Sequence, residues 1–205
     1  MRLVLFLLIL FLIINPWWRS SSPWWRSSPP FIYRTDICDT RDIQHLIAPL
    51  LRTRLRAPSQ PTDVHVGQGG RKSITLTPAA SNKELYDRLD TLLPGYHVRR
   101  DVPVEYRLYY TGSTGMNWHR DQRLSIDAEY LEGVLTLHND SDSVFEYMQG
   151  SFVKKHIVPR EGTLVLVKPE DLLHRVTPVR KGSREILKMV FSPNNSTTAY
   201  GSRRS

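Results

Sequence analysis

Trp118-His119-Arg120-Asp121 is the stretch on which the reading of this chain turns. Residues two apart on an extended strand project to the same side, so His119 and Asp121 can offer an imidazole and a carboxylate to one ion while Arg120 points away. A His-x-Asp pair alone is a weak signal, because a strand-end histidine beside a carboxylate is more often a solvated surface pair. Its weight comes from what surrounds it.

His174 opens the run His174-Arg-Val-Thr-Pro-Val-Arg-Lys-Gly-Ser-Arg184, in which a Gly-containing turn at Arg180 to Ser183 links two apolar strands. Two imidazoles and one carboxylate on one side of a ferrous ion leave the other side open for oxygen and a bidentate co-substrate, as in non-haem Fe(II) sites. Arg184 begins the last core strand, Arg-Glu-Ile-Leu-Lys-Met-Val-Phe, and its planar guanidinium suits bidentate pairing with a distal carboxylate. A dicarboxylate such as 2-oxoglutarate meets that requirement.

With these residues, the stretch from about Tyr106 to Pro193 resembles the 2-oxoglutarate and Fe(II)-dependent dioxygenases, and within them the prolyl-4-hydroxylase-like branch, in which a basic residue follows the distal histidine by about ten positions. The resemblance implies that His119, Asp121 and His174 form the catalytic centre as metal ligands. It further implies that Arg184 holds the outer carboxylate of 2-oxoglutarate and that a tyrosine shortly before the first histidine supports it. Tyr110 is the preferred candidate for that tyrosine and Tyr109 the alternative. The implied cofactors are Fe(II), 2-oxoglutarate and O2, with ascorbate an optional accessory, and the implied reaction is a hydroxylation that releases succinate and CO2. The chain departs from the family pattern at Ile186, where many members carry Ser or Thr two positions after the basic residue.

A peptide or protein substrate of the prolyl type is the first expectation, with a small-molecule or lipid hydroxylase beside it. The net charge of +8 and the Tyr-x-x-Gly that precedes Trp-His-x-Asp also resemble dioxygenases that demethylate alkylated nucleic acid, which is the second reading. A degenerate jelly roll serving as a membrane-tethered binding module is the third, and it is disfavoured because no ligand is missing. The densest basic cluster, Lys154, Lys155, His156 and Arg160, reads better as an outward solvated strand face than as a nucleic-acid groove. His138 follows a strand and reads as a structural histidine.

The expected fold is mainly β with supporting α-helices: a double-stranded β-helix, or jelly roll, preceded by an N-terminal membrane anchor. Arg107–Tyr110, Tyr130–Leu137, Val144–Met148, Phe152–Val158 and Thr163–Val167 read as short strands rich in β-branched and aromatic residues, punctuated by Gly, Asn and Asp turns. Ser81-Asn-Lys-Glu84 reads as a capping box before a helix over Asn82–Leu93, stopped by Pro94-Gly95. A second helix over about Arg41–Arg54 would be interrupted or kinked at Pro49, and Ala57–Gly70 reads as a surface loop.

Leu3–Ile14 is an unbroken apolar run followed by Asn15-Pro-Trp-Trp18, so residues 1–18 read as a signal-anchor or transmembrane segment, short for a full span. Residues 19–34 form a Trp/Arg/Ser/Pro linker in which Pro16-Trp-Trp-Arg-Ser-Ser is repeated from Pro23. Helical support and loops over 35–100, a dioxygenase core over 101–195 and a tail over 196–205 complete the plan. Basic residues flanking the apolar run favour a cytosolic catalytic region, whereas a signal-like N-terminus favours translocation. The endoplasmic reticulum lumen is preferred. Oligomeric state is not legible, and the single cysteine, Cys38, excludes an intrachain disulfide.

Overall fold

The computed structural model describes residues 31–34, 39–56, 64–67, 71–78, 82–124, 129–149 and 153–194. In chain order these form β1 (Phe31–Arg34), α1 (Thr40–Arg56), β2 (Val64–Gly67), β3 (Arg71–Leu76), α2 (Lys83–Asp90), β4 (Tyr96–Val98), β5 (Val104–Tyr110) and β6 (Met116–His119). There follow β7 (Leu131–Asn139), β8 (Phe145–Gln149), β9 (Val153–Ile157), β10 (Leu164–Val167), β11 (His174–Val176) and β12 (Ser183–Pro193). The strands assemble into two antiparallel sheets. The larger runs β1-β10-β7-β12-β5-β3-β2, with β4 pairing the far end of β12, and the smaller runs β6-β11-β8-β9.

β12 explains why both faces of the large sheet are covered. Period-2 alternation sends Leu187, Met189 and Phe191 to one side, where they join Leu135, Leu137, Leu164 and Leu166. Ile43 and Ile47 of α1 and Leu85, Tyr86 and Leu89 of α2 close that core. Arg184, Ile186 and Lys188 project to the other side, into a cavity capped by the small sheet. The expected jelly roll is therefore observed, with the described helices backing one face.

Four departures from the sequence reading have physical causes. Val64–Gly67 lies inside the stretch read as a loop, yet it pairs with β3, which itself pairs with β5. Phe31–Arg34 lies inside the stretch read as linker, yet it adds to the edge of the large sheet through β10. α1 runs unbroken through Pro49: Pro49 cannot give an N–H to the His45 carbonyl, and both residues are on the exposed face, where the loss costs least. α2 begins at Lys83, after Asn82, whose Nδ2 donates to the Thr77 carbonyl at 2.6 Å; Ser81 of the expected capping box lies outside the described residues. The same helix ends earlier than expected, at Asp90, where Thr91 Oγ1 donates to the Arg88 carbonyl at 2.7 Å.

Residues 1–18, read as an anchor, lie outside the described residues, and no described helix is long and apolar enough to cross a membrane.

Leu135 is fully buried between α1, α2 and the large sheet. Leu135→Ala should cost about 2–5 kcal/mol in denaturant unfolding. A loss below about 1 kcal/mol would mean that this core is not packed as described.

Candidate active site

His119 ends β6 and His174 opens β11, and the antiparallel register sets these two residues directly opposite each other. Their ring centroids lie 4.4 Å apart. Gly115, at φ +74°, permits this approach, since a Cβ there would collide with the Val176 carbonyl and the Pro178 nitrogen.

Asp121 reaches the same point by a different route from the one expected. It lies past the end of β6 rather than on it. Its loop is held by Glu170, whose N–H donates to the Asp121 carbonyl at 3.0 Å, and by Arg120, whose Nη1 donates to the Glu170 and Asp171 carbonyls at 3.1 and 2.7 Å. Asp121 Oδ1 sits 3.7 Å from His119 Nε2 and its Oδ2 sits 3.5 Å from His174 Nε2. One ligand atom from each of the three residues falls within 4.8 Å of the others.

The hydrogen bonds around the imidazoles leave the right atoms available. His119 Nδ1 faces the Asn117 carbonyl at 2.7 Å and His174 Nδ1 faces the Leu172 carbonyl at 3.0 Å, so each ring donates from Nδ1 and keeps its Nε2 lone pair. Burial pushes the His174 pKa below the usual histidine range, which favours the neutral, metal-binding form. Phe145 stacks on His174 with centroids 5.2 Å apart. His119 Nε2 is buried without a hydrogen bond. That orphaned nitrogen, with a carboxylate and a second imidazole beside it, fits a divalent metal.

The triad opens into a cavity of about 50 Å³ bounded by Val134, Val165, Val167 and Ile186 on the large sheet and by Met116 and Val176 on the small one. Arg184 also lines it, 3% exposed, with its Nε unpartnered and no described carboxylate paired to it. Burial lowers the Arg184 pKa, and Tyr109 opposes that shift. The guanidinium nonetheless stays protonated, as arginine does in proteins.

The structure separates the two tyrosine candidates. Tyr109 is 6% exposed, lines the cavity and stands opposite Arg184 in the β5/β12 register. Tyr110 is 38% exposed and, one residue on, projects from the other face of β5. Of the two candidates, Tyr109 faces the cavity and the preferred one, Tyr110, does not, because the strand alternation sends neighbouring residues to opposite faces. Met116 walls the cavity, whereas the Trp118 ring lies under the Arg175 guanidinium at 5.0 Å and does not line it. His138 pairs loosely with Asp140 at 3.7 Å, away from the cavity. Lys154, Lys155 and His156 are exposed on β9, as a solvated face requires, and Lys154 pairs with Glu146 at 3.1 Å.

Sequence reasoning missed a charged pair beside the ligands. Lys188 Nζ lies 2.6 Å from Glu132 Oε2 and 3.8 Å from Asp121 Oδ1, all within the cavity. The signal was present as a lysine and a glutamate inside otherwise apolar strands, two places where charge is costly unless paired.

No family model and no curated protein sequence matches this chain. The fold, however, is shared with several solved structures. A Pseudomonas putida prolyl-4-hydroxylase is similar over 82% of this chain and 94% of its own, at 16% identity and TM-score 0.59. A Trichoplax adhaerens prolyl hydroxylase, solved with a peptide of the hypoxia inducible factor oxygen degradation domain, is similar over 81% of this chain and 84% of its own, at 13% identity and TM-score 0.60. HygX from Streptomyces hygroscopicus, solved with nickel and 2-oxoglutarate, is similar over 84% of this chain and 86% of its own, at 14% identity and TM-score 0.56. At these identities the likeness establishes a shared fold.

A divalent ion such as Mn(II), held at about 100 times its dissociation constant, should stabilise the protein by about 2.7 kcal/mol in thermal unfolding. His174→Ala should abolish that gain. Equal stabilisation of the variant would place the ion elsewhere.

Proposed function

We propose that this protein is an Fe(II)- and 2-oxoglutarate-dependent dioxygenase that hydroxylates a peptidyl residue of the prolyl type. The observation that carries the reading is one cavity with a His119–Asp121–His174 cluster on its wall and a buried Arg184, paired with no carboxylate among the described residues, lining the same space. The first part suits a metal and the second suits an anion, and 2-oxoglutarate is a ligand that can address both.

In this reading His119, Asp121 and His174 hold Fe(II) on one side, with the Asn117 and Leu172 carbonyls fixing the imidazole tautomers. Fe(II) with 2-oxoglutarate and O2 supplies, when bound, the oxidising power that converts C–H to C–OH and releases succinate and CO2. Arg184 receives the distal carboxylate through its guanidinium fork and Tyr109 adds a phenol. The apolar walls exclude water from the reacting centre.

A peptide substrate is favoured by two of the similar structures, a prolyl-4-hydroxylase and a prolyl hydroxylase solved with a peptide. A small-molecule substrate is the second reading, favoured by HygX, which has also been solved with hygromycin B. Demethylation of nucleic acid has less support, since the basic cluster on β9 faces solvent rather than the cavity. We also propose that residues 1–18 anchor the protein in a membrane, with the catalytic region in the endoplasmic reticulum lumen. A lumenal protein could be glycosylated at the Asn-x-Ser/Thr triplets that begin at Asn139, Asn194 and Asn195, and of these Asn139 is already engaged, its Nδ2 donating to the Pro159 carbonyl at 2.6 Å.

Anaerobic addition of Fe(II) and 2-oxoglutarate should produce a metal-to-ligand charge-transfer band, and admitting air with proline-containing peptides should then release succinate. A band without peptide stimulation would retain the oxygenase and exclude the peptide substrate, while the absence of any band would contradict the oxygenase. Arg184→Met should leave metal binding intact and raise the KM for 2-oxoglutarate by about 100-fold. An unchanged KM would remove Arg184 from its role. Deleting residues 1–28 should release an active protein from the membrane fraction, and a product still in the membrane pellet would refute the anchor.

A further inference from the structure

We infer that Arg107 is a second arginine of the co-substrate pocket and helps to set its selectivity for a dicarboxylate. This rests on the dioxygenase reading above, and goes beyond it by assigning a residue that neither the His-x-Asp pair nor the downstream histidine and arginine point to.

The register of β5 on β12 places Tyr109 opposite Arg184 and Arg107 opposite Ile186. Alternation sends Arg107 and Tyr109 to the same face of β5, and both line the cavity that holds Arg184. The Arg107 side chain is only 11% exposed. A guanidinium is rarely buried without a purpose or a partner. Its partner on the outer side is Glu105, two residues back on the same strand, whose Oε2 accepts from Nε at 2.8 Å and also from Nη2. On the inner side its neighbour is Tyr109, with which it interacts.

Glu105 therefore grips Arg107 from the solvent side and leaves the guanidinium fixed at the cavity wall. Across from it, Ile186 offers no polar group, so at that level of the β5/β12 pair Arg107 supplies the hydrogen-bonding capacity. A carboxylate has about four lone-pair sites, more than a single guanidinium fork fills. Arg184, Arg107 and the Tyr109 phenol together present a cationic end to the cavity. A five-carbon 2-oxo dicarboxylate answers that end, whereas a 2-oxo monocarboxylate leaves it unanswered.

The test compares the two ligand types on the full-length, Mn(II)-loaded protein without oxygen. Dissociation constants for 2-oxoglutarate and 2-oxobutyrate are measured by calorimetry for the wild type, Arg107→Met and Arg107→Lys. Wild type should prefer 2-oxoglutarate by about 100-fold, and Arg107→Met should lose about tenfold for 2-oxoglutarate while changing less than about twofold for 2-oxobutyrate. Arg107→Lys keeps the charge without the planar fork and should lose about threefold for 2-oxoglutarate alone; it carries the test if the Met variant does not fold. Equal weakening toward both acids would show a purely structural arginine and overturn the inference, as would unchanged 2-oxoglutarate binding. A wild type that binds 2-oxoglutarate no better than 2-oxobutyrate would instead overturn the dioxygenase reading of the pocket.

Discussion

The site depends on the register of β6 against β11. Setting His119 opposite His174 makes a cross-strand neighbour pair of two residues far apart in the chain, and it does so through backbone hydrogen bonds rather than through the side chains themselves. A slip of one residue would turn one ring to the other face of the small sheet. Everything else in the cluster adapts to that pair. The Asn117 and Leu172 carbonyls lie two residues before each histidine and orient the rings, and the Glu170 N–H and Arg120 guanidinium pin the loop that carries Asp121.

Polarity inside the sandwich follows from the alternation of one long strand. β12 gives Leu187, Met189 and Phe191 to the helix-backed core and Arg184, Ile186 and Lys188 to the cavity, so one strand builds both stability and site. Keeping Arg184 in that cavity without a carboxylate is unfavourable by itself, because a buried charge without a counter-ion loses its hydration. The structure concentrates charge in one place. Arg184, Arg107, Lys188, Glu132 and Asp121 line one cavity; Arg107 is paired with Glu105 and Lys188 with Glu132, and Arg184 is the one among them with no described counter-ion. An anion and a divalent cation would together relieve the uncompensated groups.

Much of this was legible in the chain. His119, Asp121, His174 and Arg184 carry their chemistry in their type and order, and β5, β7, β8, β9, β10 and β12 fall on the stretches read as strands, whereas β6 and β11 carry no such run. What was not legible depended on distance in sequence. The face on which Tyr109 or Tyr110 falls is set by the pairing of β5 with β12, and the meeting of Lys188 with Glu132 by the pairing of β12 with β7. The alternation of Ile74 and Leu76 in β3 was a local signal that could have been read, whereas β1 and β2 are short edge strands whose order comes from β10 and β3. Pro49 misled in the other direction, since it follows a local rule that the tertiary setting overrides.

The most direct measurement of the central claim is a crystal structure of the protein with Mn(II) and 2-oxoglutarate, grown without oxygen. The account predicts the ion bound to His119 Nε2, His174 Nε2 and one Asp121 oxygen, with the distal carboxylate of 2-oxoglutarate on Arg184. An ion held by other residues, or a 2-oxoglutarate whose distal carboxylate lies away from Arg184, would contradict it.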